Sequence, residues 1–544
     1  MAGVVLENLS NRKLSILSSV LLLIIVAFFL IGGLIAPAPA NVQSTLAVIC
    51  IDNTAKENPP KIDDRAFFIP RGDKSCKQVD SLSAPEIDEQ KTEADQVVFS
   101  QWIPLPRGGE QLKMSRWFQH VISVIQLDIK HSSKQPMGKN PVLTMDVRLG
   151  YSNKNDSDWY ELARAKEERP LDCYNNEDDQ QEGDYYHCEP IPFFELGSCH
   201  HHYYVINIRI PVRRGANSDI GQIEDVHIIA IHQNGGFTKV WFSIKTVLFP
   251  SLLAVIVWFW RRIQMLSRLP NLLERTLFAL GIVLSILNCP IEWLTLWFDM
   301  PFMMLIGDVR QGAFYAMLLS FWIIFAGEHM MDQLERNRLV IYWKHLGAVV
   351  FGCLALFVFE ICERGVQLSN PFYSIWVTET GRHLALAFII LAGFAACTYF
   401  IFLCYMVYKV FRNISSKSTA LPQMSSVRRK YYKGLIFRFK FLMLTTLLCA
   451  ALTVIFFIIS QVSEGRWKWG DEGISLEYSS AFLTGVYGIW NVYVIALLSL
   501  YAPSHKNVTD IDSPNTSQEE EVQLTQIPSE VSAMTAFTSK AAAD

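Results

Sequence analysis

Eight long apolar runs constrain the fold of this chain more than any other feature of its sequence. The first run, Leu14 to Ala36, is long enough to cross a bilayer, whereas the core of a cleaved signal peptide is shorter. The sequence APAPA at its end also resembles a cleavage site, so removal of this run is the alternative to an uncleaved anchor. The other seven predicted spans are Val240 to Trp260, Leu272 to Leu294, Gln311 to Phe325, Leu346 to Ile361, Leu384 to Val407, Leu435 to Val462 and Ala481 to Tyr501.

The composition agrees with a polytopic membrane protein. Hydrophobic residues make up 51% of the 544 residues, and the mean hydropathy is +0.21. The chain carries neither a basic tract nor a glycine-rich phosphate loop, so we expect neither nucleic-acid binding nor nucleotide hydrolysis. Gly32 and Gly33 lie near the end of the first run, where a neighbouring helix is expected to approach closely.

Between the first two spans the sequence is polar and alternates as β-strands do. Leu143 to Tyr151, His201 to Val212 and Ile223 to His232 each predict a half-buried strand, and together they indicate a sandwich or a barrel. The tail is rich in serine, threonine and acids and is expected to be disordered. The predicted order is a cytosolic N-terminus (1–13), a transmembrane helix (14–36), a β domain (37–239), a seven-helix bundle (240–501) and a cytosolic tail (502–544).

The loops differ in charge, and this difference predicts the orientation of the spans. Basic residues concentrate in the loops after spans two, four and six, whereas the opposite loops keep acids such as Asp299 and Asp471. The positive-inside rule therefore places both termini in the cytosol and the β domain in the lumen or outside the cell. The basic residues are Arg261, Arg262, Arg268, Arg275, Arg336, Arg338, Lys344, Lys409, Arg412, Lys417, Arg428, Arg429, Lys430 and Lys433.

Five cysteines fall in the β domain, in a compartment that oxidises thiols. Sequence order favours disulfides Cys50–Cys76 and Cys173–Cys188, although other pairings are open, and it leaves Cys199 as a free thiol. Asn155 begins an N-glycosylation triplet on the same side of the membrane.

Two polar clusters invite a catalytic or metal-binding interpretation, and neither has the required pattern. Glu328, His329 and Asp332 end the fourth span with one histidine, whereas a zinc-protease helix needs two, four residues apart. The segment Cys199 to His202 has no second ligand group at metal spacing and is interpreted as the histidine-rich face of a strand. We therefore predict no catalytic residues, no metal and no cofactor.

Charged and aromatic residues gather where the spans meet the β-domain side. Charges near a membrane are costly unless they are paired or face a wet cavity. They therefore predict either helix-end pairing or the mouth of a cavity beneath the β domain, and an aromatic belt is the alternative for the rings. The candidates are Glu292, Asp308, Arg310, Phe314, Tyr315, Glu360, Glu363, Arg364, Phe372, Tyr373 and Trp376.

Five longer segments resemble the Wntless (Evi) family, the carriers of lipid-modified Wnt proteins. They are AIHQNGGFTKVW (230–241), DVRQGAFYAMLLSFWIIFAGEHMMDQ (308–333), CERGVQLSNPFYSIW (362–376), GLIFRFKFLML (434–444) and LYAPSHK (500–506), and the resemblance covers the chain from the first span to Lys506. It implies an invertebrate member with eight transmembrane helices, the last seven arranged like a G-protein-coupled receptor, and a luminal β-sandwich.

The resemblance also implies a function. Such a carrier binds palmitoleoylated Wnt through a luminal region matching Gln101 to His232, and the acyl chain enters the helical bundle among membrane lipids. It moves from the endoplasmic reticulum through the Golgi to the plasma membrane and returns through endosomes with a clathrin adaptor and retromer. The family's cytosolic Tyr-Glu-Gly-Leu sorting signal corresponds here to Tyr432, Lys433, Gly434 and Leu435.

A seven-helix signalling receptor is the alternative to a carrier. A rhodopsin-like receptor has Asp-Arg-Tyr where this chain has Gly327, Glu328 and His329, and the last span lacks Asn-Pro-x-x-Tyr. These departures favour a carrier that shares the shape of a receptor without its switch.

Overall fold

A computed structural model describes the fold of most of the chain. The described residues are 4–52, 67–70, 76–89, 91–104, 112–133, 135–153, 158–174, 183–213, 215–266, 268–328, 338–418, 426–468 and 477–504. The glycosylation candidate Asn155, the helix-end residues His329 and Asp332, and most of the predicted tail lie outside them.

Eight helices in the described ranges are long and apolar enough to cross a membrane, as predicted, so the protein is a multi-pass membrane protein. The helices in chain order are α1 (Val5–Asn8), α2 (Asn11–Leu30), α3 (Pro85–Glu89), α4 (Gly235–Gln264), α5 (Leu272–Asn288), α6 (Met303–Glu328), α7 (Trp343–Gln367), α8 (Glu379–Ser418), α9 (Ser426–Lys468) and α10 (Glu477–Leu500). All except the short α1 and α3 are of membrane length.

Several of these helices extend beyond the apolar runs that predicted them. The fourth predicted span began at Gln311, whereas α6 begins at Met303 and includes Asp308 and Arg310. Both residues form ion pairs, which lets charged residues continue the helix past the apolar run. Similarly, α9 includes the basic residues Arg428 to Lys433, which precede the seventh run. The apolar runs therefore mark only the bilayer part of each helix.

The β domain is a sandwich of two antiparallel sheets, with strand orders β1-β12-β5-β10 and β3-β2-β4-β11-β6-β7, plus a small β8–β9 pair. Its core is built from inward residues of both sheets, among them Ile125, Ile129, Val147 and Ile206. The strands are β1 (Ala40–Leu46), β2 (Val48–Ile51), β3 (Lys77–Val79), β4 (Val97–Ile103), β5 (Val121–Lys130), β6 (Val142–Ser152), β7 (Tyr160–Pro170), β8 (Cys173–Tyr174), β9 (His187–Cys188), β10 (Ile191–Leu196), β11 (Tyr203–Arg209) and β12 (Gln222–Gln233).

Disulfide bonds join Cys50 to Cys76 and Cys173 to Cys188, and Cys199 is a buried free thiol. The predicted strand at His201 begins two residues later, at Tyr203, so the segment Cys199 to His202 precedes β11. The interpretation of these histidines as one face of a strand is therefore wrong. His201 instead stacks on Tyr151 of β6, with ring centroids 3.7 Å apart.

The N-terminal helix α2 packs closely on α10, as the two glycines at its end predicted. A Cβ on Gly32 would overlap Thr484 Oγ1 and would lie 2.5 Å from the carbonyl oxygen of Ser480. Gly485 and Gly488 of α10 lie in turn directly against the rings of Phe29 and Phe28. Small residues on both helices therefore let the first span join the seven-helix bundle.

The first and last described segments meet at the far end of the bundle from the β domain. Val5 N donates to Ala502 O at 2.9 Å, and Arg438 Nη1 donates to Leu6 O at 3.2 Å. Arg262 of α4 donates to Pro503 O at 3.0 Å. The first and last described segments therefore lie on one side of the bundle.

We predict that Gly32→Ala lowers the thermal midpoint of the protein in detergent micelles. The added methyl group meets the backbone of α10, which cannot move away as a side chain can, and overpacking of this kind costs about 1 to 3 kcal/mol. Gly393→Ala is the matched control, because a methyl group added to Gly393 in α8 would have no heavy atom within 4 Å of it. Equal midpoints for the two variants would show that the contact is not close.

Candidate functional site at the junction of the two domains

The β domain joins the bundle directly through its last strand. β12 runs into α4 at Asn234, whose side-chain Oδ1 accepts a hydrogen bond from Gly236 N at 2.9 Å. Asparagine at this position caps the free N–H groups of the first helical turn. The NGG turn signal in the sequence is therefore the N-cap of α4.

A second contact on the same side involves the short turn Arg116–Phe118, which precedes β5. The ring of Trp117 lies 6.1 Å from Phe242 of α4 and 5.8 Å from Trp293, measured between centroids. Arg116 Nη1 donates to Leu296 O at 2.8 Å, next to Trp293 in the turn Ile291–Leu296. The β domain is therefore fixed to α4 and to the turn after α5.

The loop between α7 and α8 attaches the β domain at a third place. Phe372 is completely buried there, 5.7 Å from Phe193 and 6.2 Å from Phe194 between ring centroids. Arg169 Nη2 donates to Phe372 O at 2.7 Å, and Glu195 N donates to Pro371 O at 2.8 Å. The candidate Phe372 therefore belongs to the core of the β domain, not to the interior of the bundle.

Arg364, near the end of α7, connects three elements at this junction. Its Nη1 lies 2.5 Å from Glu195 Oε1 of β10, and its Nε lies 2.9 Å from Asp308 Oδ2 of α6. Glu360, one turn earlier on α7, lies 3.4 Å away. Helix-end pairing therefore describes these candidates, and the pairing reaches across to the β domain.

A second group of charges lies deeper in the bundle. Glu292 pairs with Arg310 of α6 and lies 2.6 Å from Lys245 Nζ of α4. Arg310 Nη1 also donates to Cys289 O at 2.9 Å. Both cations are almost fully buried, at 5% exposure for Lys245 and 7% for Arg310. Burial of the two cations is tolerated because both pair with the one carboxylate of Glu292, and Arg310 also bonds a backbone carbonyl.

The remaining candidates lie either on helices of the bundle or in the loop after α7. Phe314 is completely buried, with its ring 5.3 Å from Trp490 of α10, and Tyr315 lies 5.5 Å from the same ring. Glu363 is buried on α7, whereas Tyr373 and Trp376 are half-buried in the loop with Phe372. The structure therefore divides the predicted mouth into a bundle group and a loop group.

A cavity of about 170 Å³ lies where the β domain meets α6 and α7. Its lining includes acidic, basic and histidine side chains from both domains: Glu195, His200, His201, Asp299 and Arg364. Next to it, burial lowers the pKa of His120 to about 4, an effect that Glu195 opposes. Burial also lowers the pKa of His232. Both histidines are therefore neutral at neutral pH.

Sequence reasoning missed several residues that hold the junction together. Lys245 was visible as a single cation inside an apolar run, which by itself indicates a buried partner. Phe193 and Phe194 are adjacent apolar residues, a break in alternation that indicates a β-bulge. Arg169 and Glu195 gave no such signal, because a charged residue on a strand usually faces water.

The sorting-signal candidates lie within α9, on the side where the chain ends meet. Lys433 is exposed and Gly434 is half-buried. Glu328 of the other polar cluster is buried in α6 and accepts a hydrogen bond from Tyr342 Oη at 3.1 Å. Across the part of the chain that the structure describes, no group of three potential metal ligands is assembled.

Comparison with known families and proteins identifies clear relatives. The family model described as the Wntless-like transmembrane domain matches residues 234–505, and that of the Wntless GOLD domain matches residues 48–233. The chain is 52% identical over 532 residues to the protein wntless homolog of Gallus gallus and 50% identical to that of Homo sapiens, with 96% of each chain covered. It is 51% identical over 571 residues to protein wntless of Drosophila mojavensis, an alignment that covers all of both chains, tail included.

We predict that Glu292→Gln destabilises the protein by about 3 to 5 kcal/mol, because it leaves two buried cations without their anion. Glutamine has nearly the same size as glutamate, so the loss of stability measures the effect of removing the charge alone. Glu379→Gln is the control, since the Glu379 side chain on α8 is 83% exposed. The measurement is thermal unfolding in micelles, and equal midpoints for the two variants would contradict the role of the buried cluster.

Proposed function

The chain belongs to the Wntless family, and on that basis we propose that it is a membrane cargo receptor for lipid-modified Wnt proteins. It binds palmitoleoylated Wnt in the secretory pathway, shields the acyl chain among its transmembrane helices and carries the cargo to the cell surface. It then returns by endocytosis and retromer. The role is that of a carrier and not of an enzyme.

The observation that carries this proposal is the firm attachment of the β domain to one end of the bundle. A lipid-modified protein needs a polar surface for the protein and an apolar space for its chain, close to each other. The sandwich supplies the first, with the proposed Wnt-contacting region between Gln101 and His232. The helices α7 and α8, joined to it through Phe372, supply the second.

The apolar surfaces of α7 and α8 suit an acyl chain. Ring contacts join the two helices near both ends, between Phe359 and Phe388 and between His345 and Phe402. Between those contacts large apolar side chains are exposed, including Phe351 at 75% and Phe394 at 71%. Each buried methylene contributes ~0.8 kcal/mol, so shielding a sixteen-carbon chain offers on the order of 10 kcal/mol without any catalytic group.

We also propose that both chain ends face the cytosol and that the β domain faces the lumen or the cell exterior. Arg261 and Arg262 end α4 on the side where Val5 meets Ala502, and the basic residues of α9 begin there too. Cytosolic loops carry such an excess of lysine and arginine. The protein would then move between endoplasmic reticulum, Golgi, plasma membrane and endosomes with one orientation.

We predict that the protein co-purifies with a co-expressed Wnt, and that replacing the acylated serine of that Wnt by alanine leaves only weak residual capture. The acyl chain supplies much of the binding free energy, so its loss should reduce capture by several orders of magnitude. The measurement is the amount of Wnt that elutes with the tagged full-length chain.

Two other outcomes of this measurement would contradict the proposal. Equal capture of both Wnt forms would mean that the β domain binds the protein part alone and that the bundle shields no lipid. Capture of neither form would mean that the ligand is not a Wnt, and ligand-dependent G-protein activation would then favour a signalling receptor.

For recycling, we predict that Tyr432→Ala makes the protein accumulate at the cell surface, because it removes the first residue of the Tyr432-Lys433-Gly434-Leu435 signal that a clathrin adaptor would bind. The adjacent Tyr431→Ala is the matched control, since it removes the same side chain outside the signal. Surface biotinylation and antibody uptake measure the effect. Unchanged uptake in Tyr432→Ala would show that the tyrosine is not a sorting residue.

A further inference from the structure

The helix α7 and the half of α8 nearest the β domain bury little of their surface in the bundle, whereas the far half of α8 lies in the bundle core at Leu403 and Val410. Only 6% of the most apolar stretch of each is buried, the same as for the peripheral α2, whereas the values for α4, α5, α6, α9 and α10 run from 28% to 67%. Helices in a membrane gain no hydrophobic drive to associate, so position depends on specific packing and polar contacts. For α7 and α8 much of that specific contact lies at the ends.

The loop that joins these two helices packs against the β domain through Phe372, beside two phenylalanine rings of β10. β10 contains a register shift between Pro192 and Phe194, and both Phe193 and Phe194 are buried as a result. A regular strand would send adjacent side chains to opposite faces. The bulge therefore brings two rings to the position where the ring of Phe372 packs.

Arg169 holds the backbone of the loop at this site. Its side chain is 2% exposed, and it donates to Phe372 O and to Pro192 O at 3.1 Å while pairing with Glu167 at 2.6 Å. A buried guanidinium must keep its hydrogen bonds, because unmade ones are costly in a low dielectric. The loop is therefore seated in one defined position.

The β domain is also attached to a different part of the bundle, through β12 and the turn before β5. β12 continues into α4 through the Asn234 cap, and Trp117 packs against both Phe242 and Trp293, which also contact each other. The sandwich thus bridges α4, which is packed in the bundle core along its length, and the β-domain ends of α7 and α8, which bury little surface there. Any change in the angle of the sandwich on α4 would move the α7–α8 loop.

We propose that Phe372 and Arg169 are positioning residues that make the α7–α8 loop a tether, through which the β domain sets the position of α7 and α8 in the membrane. The inference rests on the proposed function in one respect, namely that these helices border the space for the acyl chain. Binding of the protein part of the cargo to the sandwich is then coupled to the width of the space that takes its lipid. Arg364 reinforces the tether through Glu195.

The first test compares three variants of the full-length chain in lipid nanodiscs by hydrogen exchange. Phe372→Ala removes the anchoring ring, and Phe298→Ala is the matched control, because Phe298 is 61% exposed after the turn that follows α5. A five-residue Gly-Ser insertion between Leu368 and Ser369 leaves the anchor seated and loosens its link to α7. Because it also breaks the bonds from Ser369 N and Asn370 N to Val366 O, only exchange before the last turn of α7 reports on the tether. We expect roughly tenfold faster exchange in the β-domain halves of α7 and α8 for Phe372→Ala, and in that half of α7 for the insertion.

The insertion variant keeps the test decisive even if Phe372→Ala fails to fold. Faster exchange confined to α7 and α8, with α4, α5 and the sandwich unchanged, supports the tether. Unchanged exchange in α7 after the insertion overturns it. Faster exchange across the whole sandwich, with none in α7, would also overturn it, because Phe372 would then serve only the β-domain core.

A second readout separates the tether from the proposed function. In the insertion variant, capture of acylated Wnt should fall about tenfold while the weak capture of the unacylated form stays constant. An equal fall for both forms would contradict coupling to the lipid. If the unaltered chain captured no Wnt at all, the proposed function would fail, and the exchange experiment would still decide whether the tether exists.

Discussion

The interior of a bilayer contains no water, so every backbone N–H and C=O group there must find its partner within the protein. This constraint turns the eight apolar runs into eight helices and leaves the side chains to hold them together. Apolar surface alone gives little drive for helices to associate in lipid, and association depends on close packing and polar contacts. The contacts between α2 and α10 at Gly32 and Gly488 show the first of these means.

Helix association through polar contacts is seen inside the bundle. Asn288 of α5 donates to Asn491 of α10 at 2.6 Å and accepts from Tyr487, while Trp322 of α6 donates to Tyr493 of α10 at 3.1 Å. Each such group would be costly in hydrocarbon without its partner. These bonds bind α5, α6 and α10 to one another, whereas α7 and the β-domain half of α8 bury less of their surface in the bundle.

The junction with the β domain compensates for that difference. Ion pairs from Arg364 and the seating of Phe372 fix one end of α7 and α8 to a rigid sandwich, and the sandwich is in turn fixed to α4. In the proposed tether, the sandwich positions the β-domain ends of α7 and α8 from outside the membrane. Such an arrangement suits the proposed carrier, which has to accept and release a long acyl chain.

Periodicity and composition by themselves determined the eight spans and the β character of the domain between the first two, because hydrophobic length and alternation are local properties of the chain. Which charges meet could not be read in that way. Glu292 pairs with Lys245, and Arg364 pairs with Glu195, which is 169 residues away in the sequence. Phe372, near the bundle in sequence, lies in the core of the sandwich. Only the tertiary structure decided these partners, because contact between distant residues depends on how whole elements pack.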